Sequence, residues 1–300
     1  MDVANRLRHL RNTAAPLVDS VPVAGPALQR TWARRRFSTE RALLKGADPT
    51  ASDHPSILHF SLNKAATQHV RRLLTRGTAA AGLVPVHLNG YAFWSDLPYA
   101  DHGAVVDPAV AGAFHPEGYL YSSFGGFVGG LPDLERYRKI LVVRDPRDIL
   151  VSQYFSIATS HQTPGTAKRA EFLQRREHAR EVGIDAFVLE RAPVVQSVLR
   201  RYADELLPVP GTLVTTYEEL VTDLGAWLRR ALAFVDLPAD EALVADLVAE
   251  GRPAPEREDV TAKRRQVTPG DHRRKLRAET IAALDEQLAE ELVVYGYAAP

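Results

Sequence analysis

The chain has 300 residues, 45% hydrophobic and 25% charged, enough for one large α/β domain with a full core. Its formal net charge of +0 leaves no global field to hold nucleic acid. Zero cysteines exclude disulfides, thiolate metal sites and a cysteine nucleophile.

No apolar run approaches the roughly 18 residues of a membrane span. Asp19 and Pro22 interrupt the only candidate for a signal-peptide core, so the expected location is cytoplasmic. Residues 1–53 form an arginine-rich extension. RLRHLRN and RTWARRRFSTERALLK are helix-compatible and flank the proline-bearing PLVDSVPVAGPAL. Two readings fit: helices packed on the domain with a solvated basic face, or a surface for an anionic partner or membrane. GADPTASDHP then reads as a linker, and a single α/β domain is expected over 54–300.

SILHF (56–60) is a short apolar strand, and Val70, Leu73 and Leu74 give a helical stripe after it. LVPVHL (83–88) and GYLYSS (118–123) are the next strands. KILVVR (139–144) is an apolar run bounded by charge, as a buried parallel strand requires. The helix after it has Asp145 at its N-cap and Pro146 in its first turn. Residues 166–207 read as helical with a break at Pro193, and GTLVTTY (211–217) as a fifth strand. TYEELVTDLGAWLRRALAFV reads as one helix, with Leu220, Leu224, Trp227, Leu228 and Leu232 on one face. Residues 251–274 read as a mobile loop, and 275–292 as a last helix. Alternating strands and helices imply a mostly parallel sheet of about five strands covered on both faces.

Two loops carry chemistry. In SLNKAATQ the chain leaves a strand and opens a helix, so amides and the helix dipole converge on one spot. Ala65 and Ala66 admit close approach, Lys64 adds charge and Thr67 a hydroxyl, which suits a phosphate or sulfonate. An ordinary turn with an exposed lysine fits as well. The loop is not a Walker A motif, because the lysine precedes the small residues. At the second, Arg144 ends a buried strand and Ser152 follows about two helical turns later. An arginine there suits bidentate phosphate binding, or an ion pair with Asp145 or Asp148.

Taken together, FSLNKAATQ and ILVVRDPRDILVSQYF resemble the sulfotransferases that use 3′-phosphoadenosine 5′-phosphosulfate (PAPS). The resemblance covers roughly 56–297 and implies their P-loop-like architecture. In that family a PKSGTT-type loop cradles the 5′-phosphosulfate and an R-[DN]-P-x-D-x-x-x-S segment binds the 3′-phosphate. Carried over, the donor-binding residues are Lys64, Ala65, Ala66, Thr67 and Gln68 in the first loop. Arg144 and Ser152 follow in the second. Ala65 stands at a serine position, Ala66 replaces the usual glycine, and Gln68 replaces a hydroxyl residue. TLVTTYEELVTDLGAWLRRALAFVDLP is similar to the family's YEDL strand and helix, which puts Tyr217 near the adenine or ribose. KRRQVTPGDHRRKLRAE is similar to the late RKGxxGDW segment, with Arg264 and Arg265 over the 3′-phosphate and His272 where tryptophan is usual.

The resemblance implies in-line transfer of a sulfuryl group from PAPS, without a metal, to a hydroxyl or amine of a small molecule, glycan or lipid. The product would be adenosine 3′,5′-bisphosphate (PAP), and Lys64 would follow charge onto the leaving oxygen. The family's histidine base ends the strand before the 3′-phosphate strand. Here GYLYSSFGGFVGGLP offers Ser122 and Ser123 instead. The neighbouring candidates are His87, Asp101, His102, His115 and Glu117, with His87 expected because strand C-termini face the crevice. Tyr91, Phe93, Trp94, Phe124 and Phe127 are expected to wall the acceptor site. A kinase-like phosphoryl transferase and a nucleotide-binding protein without catalytic activity remain alternatives, and oligomeric state is not legible.

Overall fold

The computed structural model describes residues 25–160, 168–250 and 268–298. The segment 6–12 and both Arg264 and Arg265 lie outside them. The five expected strands form one sheet: β1 (Ile57–Ser61), β2 (Val84–Val86), β3 (Tyr119–Phe124), β4 (Arg138–Val143) and β5 (Thr212–Thr216). Their order is β2-β3-β1-β4-β5, and every pair is parallel.

Nine helices are used below, in chain order. They are α1 (Gly25–Arg36), α2 (Ser38–Leu43), α3 (Thr67–Gly77), α4 (Leu88–Phe93), α5 (Pro146–Phe155), α6 (Lys168–Arg201), α7 (Tyr217–Thr222), α8 (Leu224–Phe234) and α9 (Glu241–Ala249).

Two apolar clusters cover the two sheet faces, which explains why the central strands are apolar throughout rather than alternating. Leu58 and Phe60 of β1 enter one cluster, with Tyr119 and Tyr121 of β3, Leu141 and Val143 of β4, and the α6 side chains Phe187, Val188 and Val195. Ile57, Leu120, Ile140 and Val142 enter the other, where α3 contributes Val70, Leu73 and Leu74 and α8 contributes Trp227, Leu228 and Leu232. Leu43 of α2 lies in the first cluster, so the basic segment 30–45 is helical and its end is built into the core.

Three boundaries differ from expectation. Helix α6 breaks at Gly183, where φ is +76°, and Pro193 stays inside it. Glycine takes that φ without steric cost. The carbonyl freed by Pro193 belongs to Leu189, a residue on the exposed side of the helix. The single helix expected after β5 is two helices, because Asp223 caps α8 through the Ala226 amide. The stretch 251–274 is not all loop: residues 272–275 form one helical turn, and the last helix is interrupted at Leu288.

The strand order locates the crevice. From β1 the chain moves to β2 and β3 on one side, then to β4 and β5 on the other. The topological switch point therefore falls between β1 and β4, where open α/β sheets bind ligands at the strands' carboxyl ends. The loops leaving these two strands are those that carry Lys64 and Arg144.

Candidate active site

The loop between β1 and α3 has an unusual backbone. Lys64 has φ +90° and Ala66 has φ +55°, both left-handed and neither a glycine. Such residues cost about 1–3 kcal/mol each and gather at ligand clamps. Ala66 caps α3, so the cradle position usual for glycine demands a glycine-like conformation. Alternating backbone handedness beside a helix N-terminus turns successive amides toward one concavity, an anion nest. The Thr67 hydroxyl closes the loop from below, 3.1 Å from Ser61 Oγ and 3.4 Å from the Leu62 carbonyl. Ala65 is fully buried, Lys64 and Thr67 are half-buried, and Gln68 is exposed.

One prediction arises here. Ala66→Gly is expected to stabilise the fold by about 1 kcal/mol, because glycine occupies this φ without the Cβ penalty. It would appear as a higher urea midpoint at unchanged slope. A lowered midpoint would mean that the loop is not strained.

The loop after β4 closes against the cradle. Arg144 is buried, and its Nη1 donates to the Lys64 carbonyl at 2.9 Å. Its guanidinium lies 4.3 Å from the centre of the Tyr217 ring and 3.6 Å from Asp148, while its Nε has no hydrogen-bond partner. Tyr217, the first residue of α7, is thus a platform under Arg144. Ser152 is half-buried in the second turn of α5. At the head of that helix, Asp145 accepts from the Arg147 amide and Pro146 occupies the first turn, as expected.

Asp148 does more than balance Arg144. Its Oδ2 accepts from the Gly270 amide at 2.7 Å, and its Oδ1 accepts from the His272 amide at 2.9 Å and from His272 Nδ1 at 2.7 Å. Burial pushes its carboxyl up, but these bonds and Arg144 outweigh burial and hold it at about 2. The segment after β4 and the late basic segment therefore meet at one buried carboxylate. His272 supplies a side-chain donor to that carboxylate. The resemblance brings both segments toward one phosphate, but the direct bond between residues 148 and 272 is not legible in the sequence.

His87, the expected base, lies elsewhere in the hydrogen-bond network. It caps α4, its amide donates to Glu40 Oε1 at 2.7 Å, and its Nδ1 donates to the Ser122 carbonyl at 2.6 Å. Burial and nearby Arg71 depress its imidazole to about 3, which makes a weak proton acceptor. His59, fully buried in β1 and in register with Ser122, is depressed to about 3 for the same two reasons. Neither of its ring nitrogens has a partner. His115 bonds to Tyr121 through its amide, Glu117 pairs with Arg136 on the surface, and His102 is exposed.

The expected aromatic walls split in two. Tyr91, Phe93 and Trp94 gather around Trp32 and Phe37 of the N-terminal extension: Trp32 lies 5.3 Å from Trp94 and Phe37 lies 5.5 Å from Tyr91. Phe124 and Phe127 instead pack on Phe60, at 5.6 and 5.8 Å, within the main core. Among the described residues, no helix is long and apolar enough to cross a membrane, and no group of three His, Asp or Glu side chains is placed to hold a metal.

Comparison with known proteins follows the same lines. Among curated proteins none matches the sequence. Solved structures that align with the chain include mouse sulfotransferase SULT7A1 complexed with PAP, at 15% identity over 85% of this chain and 88% of that one, TM-score 0.48. Retinol dehydratase in a complex with retinol and PAP aligns at 13% identity over 89% and 88%, TM-score 0.47. A sulfotransferase from Alicyclobacillus acidocaldarius aligns at 14% identity over 82% and 97%, TM-score 0.42. The sulfotransferase domain profile matches residues 134–292, more than half of the chain and all of the segment from β4 through the Asp148–His272 link, so the protein belongs to the sulfotransferase domain family.

Proposed function

We propose that the protein transfers a sulfuryl group from PAPS to a hydroxyl or amine acceptor by in-line displacement. One observation carries this reading: the strained loop bearing Lys64 and the strand-end Arg144 touch at the switch point of the sheet. A donor with phosphate at both ends of a nucleoside is what two adjoining anion sites can hold.

In this reading Lys64 and the amides of residues 66–68 hold the 5′-phosphosulfate. Arg144, Ser152 and the segment carrying Arg264 and Arg265 hold the 3′-phosphate. The unpartnered Nε of Arg144 is a donor ready for that phosphate, and Tyr217 fixes the guanidinium plane from below. Sulfuryl transfer passes through a loose transition state, so positioning and charge stabilisation do most of the work. Lys64 is suited to meet the negative charge that grows on the bridging oxygen as the bond to sulfur breaks. The acceptor class, a small molecule, glycan or lipid, is set by parts of the crevice that the two anion sites do not determine.

Two measurements test the reading. A thermal-shift comparison of PAP, Mg-ATP and NADH should show PAP stabilising the fold, by about 2.7 kcal/mol at a hundredfold excess over Kd. Transfer of label from [³⁵S]PAPS to a panel of phenols, alcohols, amines, glycans and lipids should then identify the acceptor. Stabilisation by Mg-ATP and not by PAP would point to phosphoryl transfer. PAP binding without label transfer would point to a binding protein without activity.

A further inference from the structure

The loop that follows β3 is held by one carboxylate. Asp101 is buried, and its Oδ2 accepts from the Gly125 amide at 2.6 Å and from the Gly126 amide at 2.8 Å. Its Oδ1 is equally buried and has no hydrogen-bond partner, with His102 Nε2 3.9 Å away. A buried carboxylate oxygen without a donor is costly, and such atoms call for an explanation. A second one stands near it. The hydroxyl of fully buried Tyr202 is within electrostatic reach of Asp101, has no partner either, and its ring packs edge-on against Phe60 at 6.0 Å.

The position of this pair matters. Phe60 immediately precedes Ser61, the last residue of β1, and pairs with Phe124, the last residue of β3. Gly125 abuts the cradle loop: a Cβ there would stand 2.9 Å from Asn63 Nδ2. Asp101 is therefore pinned to the cradle on its β3 side, whereas Arg144 closes it from the β4 side. In-line attack needs the acceptor opposite the leaving phosphate, and the β3 side is the one that Arg144 leaves open. The segment bearing Asp101 is itself fixed, since Arg201 donates to the Gly103 and Ala104 carbonyls and the Val106 amide donates to the Gly129 carbonyl.

We propose that Asp101 is the general base of the reaction, occupying through a remote loop the place where β3 offers only Ser122 and Ser123. This rests on the sulfuryl-transfer reading above. Asp101 Oδ1 takes the proton of the acceptor hydroxyl as its oxygen bonds to sulfur. The bond from sulfur to the bridging oxygen breaks, and its electron pair leaves on the 5′-phosphate of PAP beside Lys64. The proton on Asp101 then passes to solvent.

The test separates catalysis from clamping. In Asp101→Asn the amide oxygen can take over the Gly125 and Gly126 bonds, so the loop stays in place while the base is gone. Label release from [³⁵S]PAPS to water and to a pooled set of alcohols and phenols should fall at least about 100-fold. PAP affinity by calorimetry should stay within about twofold, since no contact of Asp101 reaches the nucleotide side. The deficit should shrink for acceptors already ionised at the assay pH, such as 4-nitrophenol, which need no base. Asp101→Asn with near wild-type turnover, alongside an inactive and destabilised Asp101→Ala, would show a clamp only. Loss in His87→Asn but not in Asp101→Asn would return the role to His87. Wild-type protein that binds PAP but releases no label overturns the transfer reading itself, a result distinguishable from either.

Discussion

Lys64→Ala should lower the transfer rate by about 10³-fold while changing PAP affinity by less than about tenfold, and Arg144→Ala should do the reverse. The two residues touch, yet their charges meet different stages of the reaction. In the sulfuryl-transfer reading Lys64 meets charge that develops as the bond to sulfur breaks, and removing one donor of that kind typically costs about 10²–10³ in kcat, more for a full charge. In that reading Arg144 binds a phosphate whose charge does not change, so its contribution is equal in ground and transition states. Two charge-assisted bonds at about 1.5–3 kcal/mol each make its loss worth at least about 100-fold in PAP Kd. Arg144→Ala should also lower stability, because it strips the donor from the Lys64 carbonyl and the cation from Asp148. Single-turnover rates and calorimetric Kd values for both variants decide the matter. Equal effects on PAP binding would refute the division of roles.

The protein should be acid-labile through His59 and His87. Both imidazoles are held neutral, at about 3 in the folded state, by burial and by Arg71. The unfolded chain takes up protons near the usual histidine value of about 6.5. Stability is then complete above that value and is lost as pH falls from about 6.5 toward 3, where the unfolded state binds protons that the native state refuses. At pH 4.5 each histidine is about two units below its unfolded value and costs on the order of 3 kcal/mol. Two such groups approach the whole net stability of a typical domain, about 5–15 kcal/mol. Asp148, held at about 2, adds a further loss below the ordinary carboxylate range. Glu40, whose carboxyl burial pushes up, accepts the His87 amide and faces Arg36 and Arg71, so the cluster carries cations on two helices. His59→Leu should shallow this acid limb by one proton and leave stability at pH 7.5 unchanged or raised, since both ring nitrogens lack partners. Urea midpoints between pH 7.5 and 4.5 measure it. A wild-type midpoint that is flat over that range would contradict the assignment.

The contrast between His87 and Asp101 shows where local reading stops. His87 ends an expected strand, which is a sound reason to place it at the crevice. Strand β2 is the sheet edge, however, two strands from the switch point, and its end turns into α4 beneath α2. Asp101 lies in a segment without regular structure and pairs with amides 24 and 25 residues away. No periodicity or cap marks such a residue, and the sequence offered it only as one of five titratable candidates around β2 and β3.

Residue pattern alone determined the five strands, the parallel sheet and the Asp145 cap, while the pairing of the lysine loop with the strand-end arginine came from the family resemblance. The strands, sheet and cap depend on side-chain period and on capping groups within a few residues of each other, which a single pass along the chain reveals. Tertiary structure alone decided that Arg144 bonds to a carbonyl 80 residues earlier, that Asp148 holds residues 270 and 272, and that α6 bends at Gly183 rather than Pro193. Those contacts depend on strand order and on which buried polar atoms find partners, and neither is fixed until the sheet has closed its neighbours together.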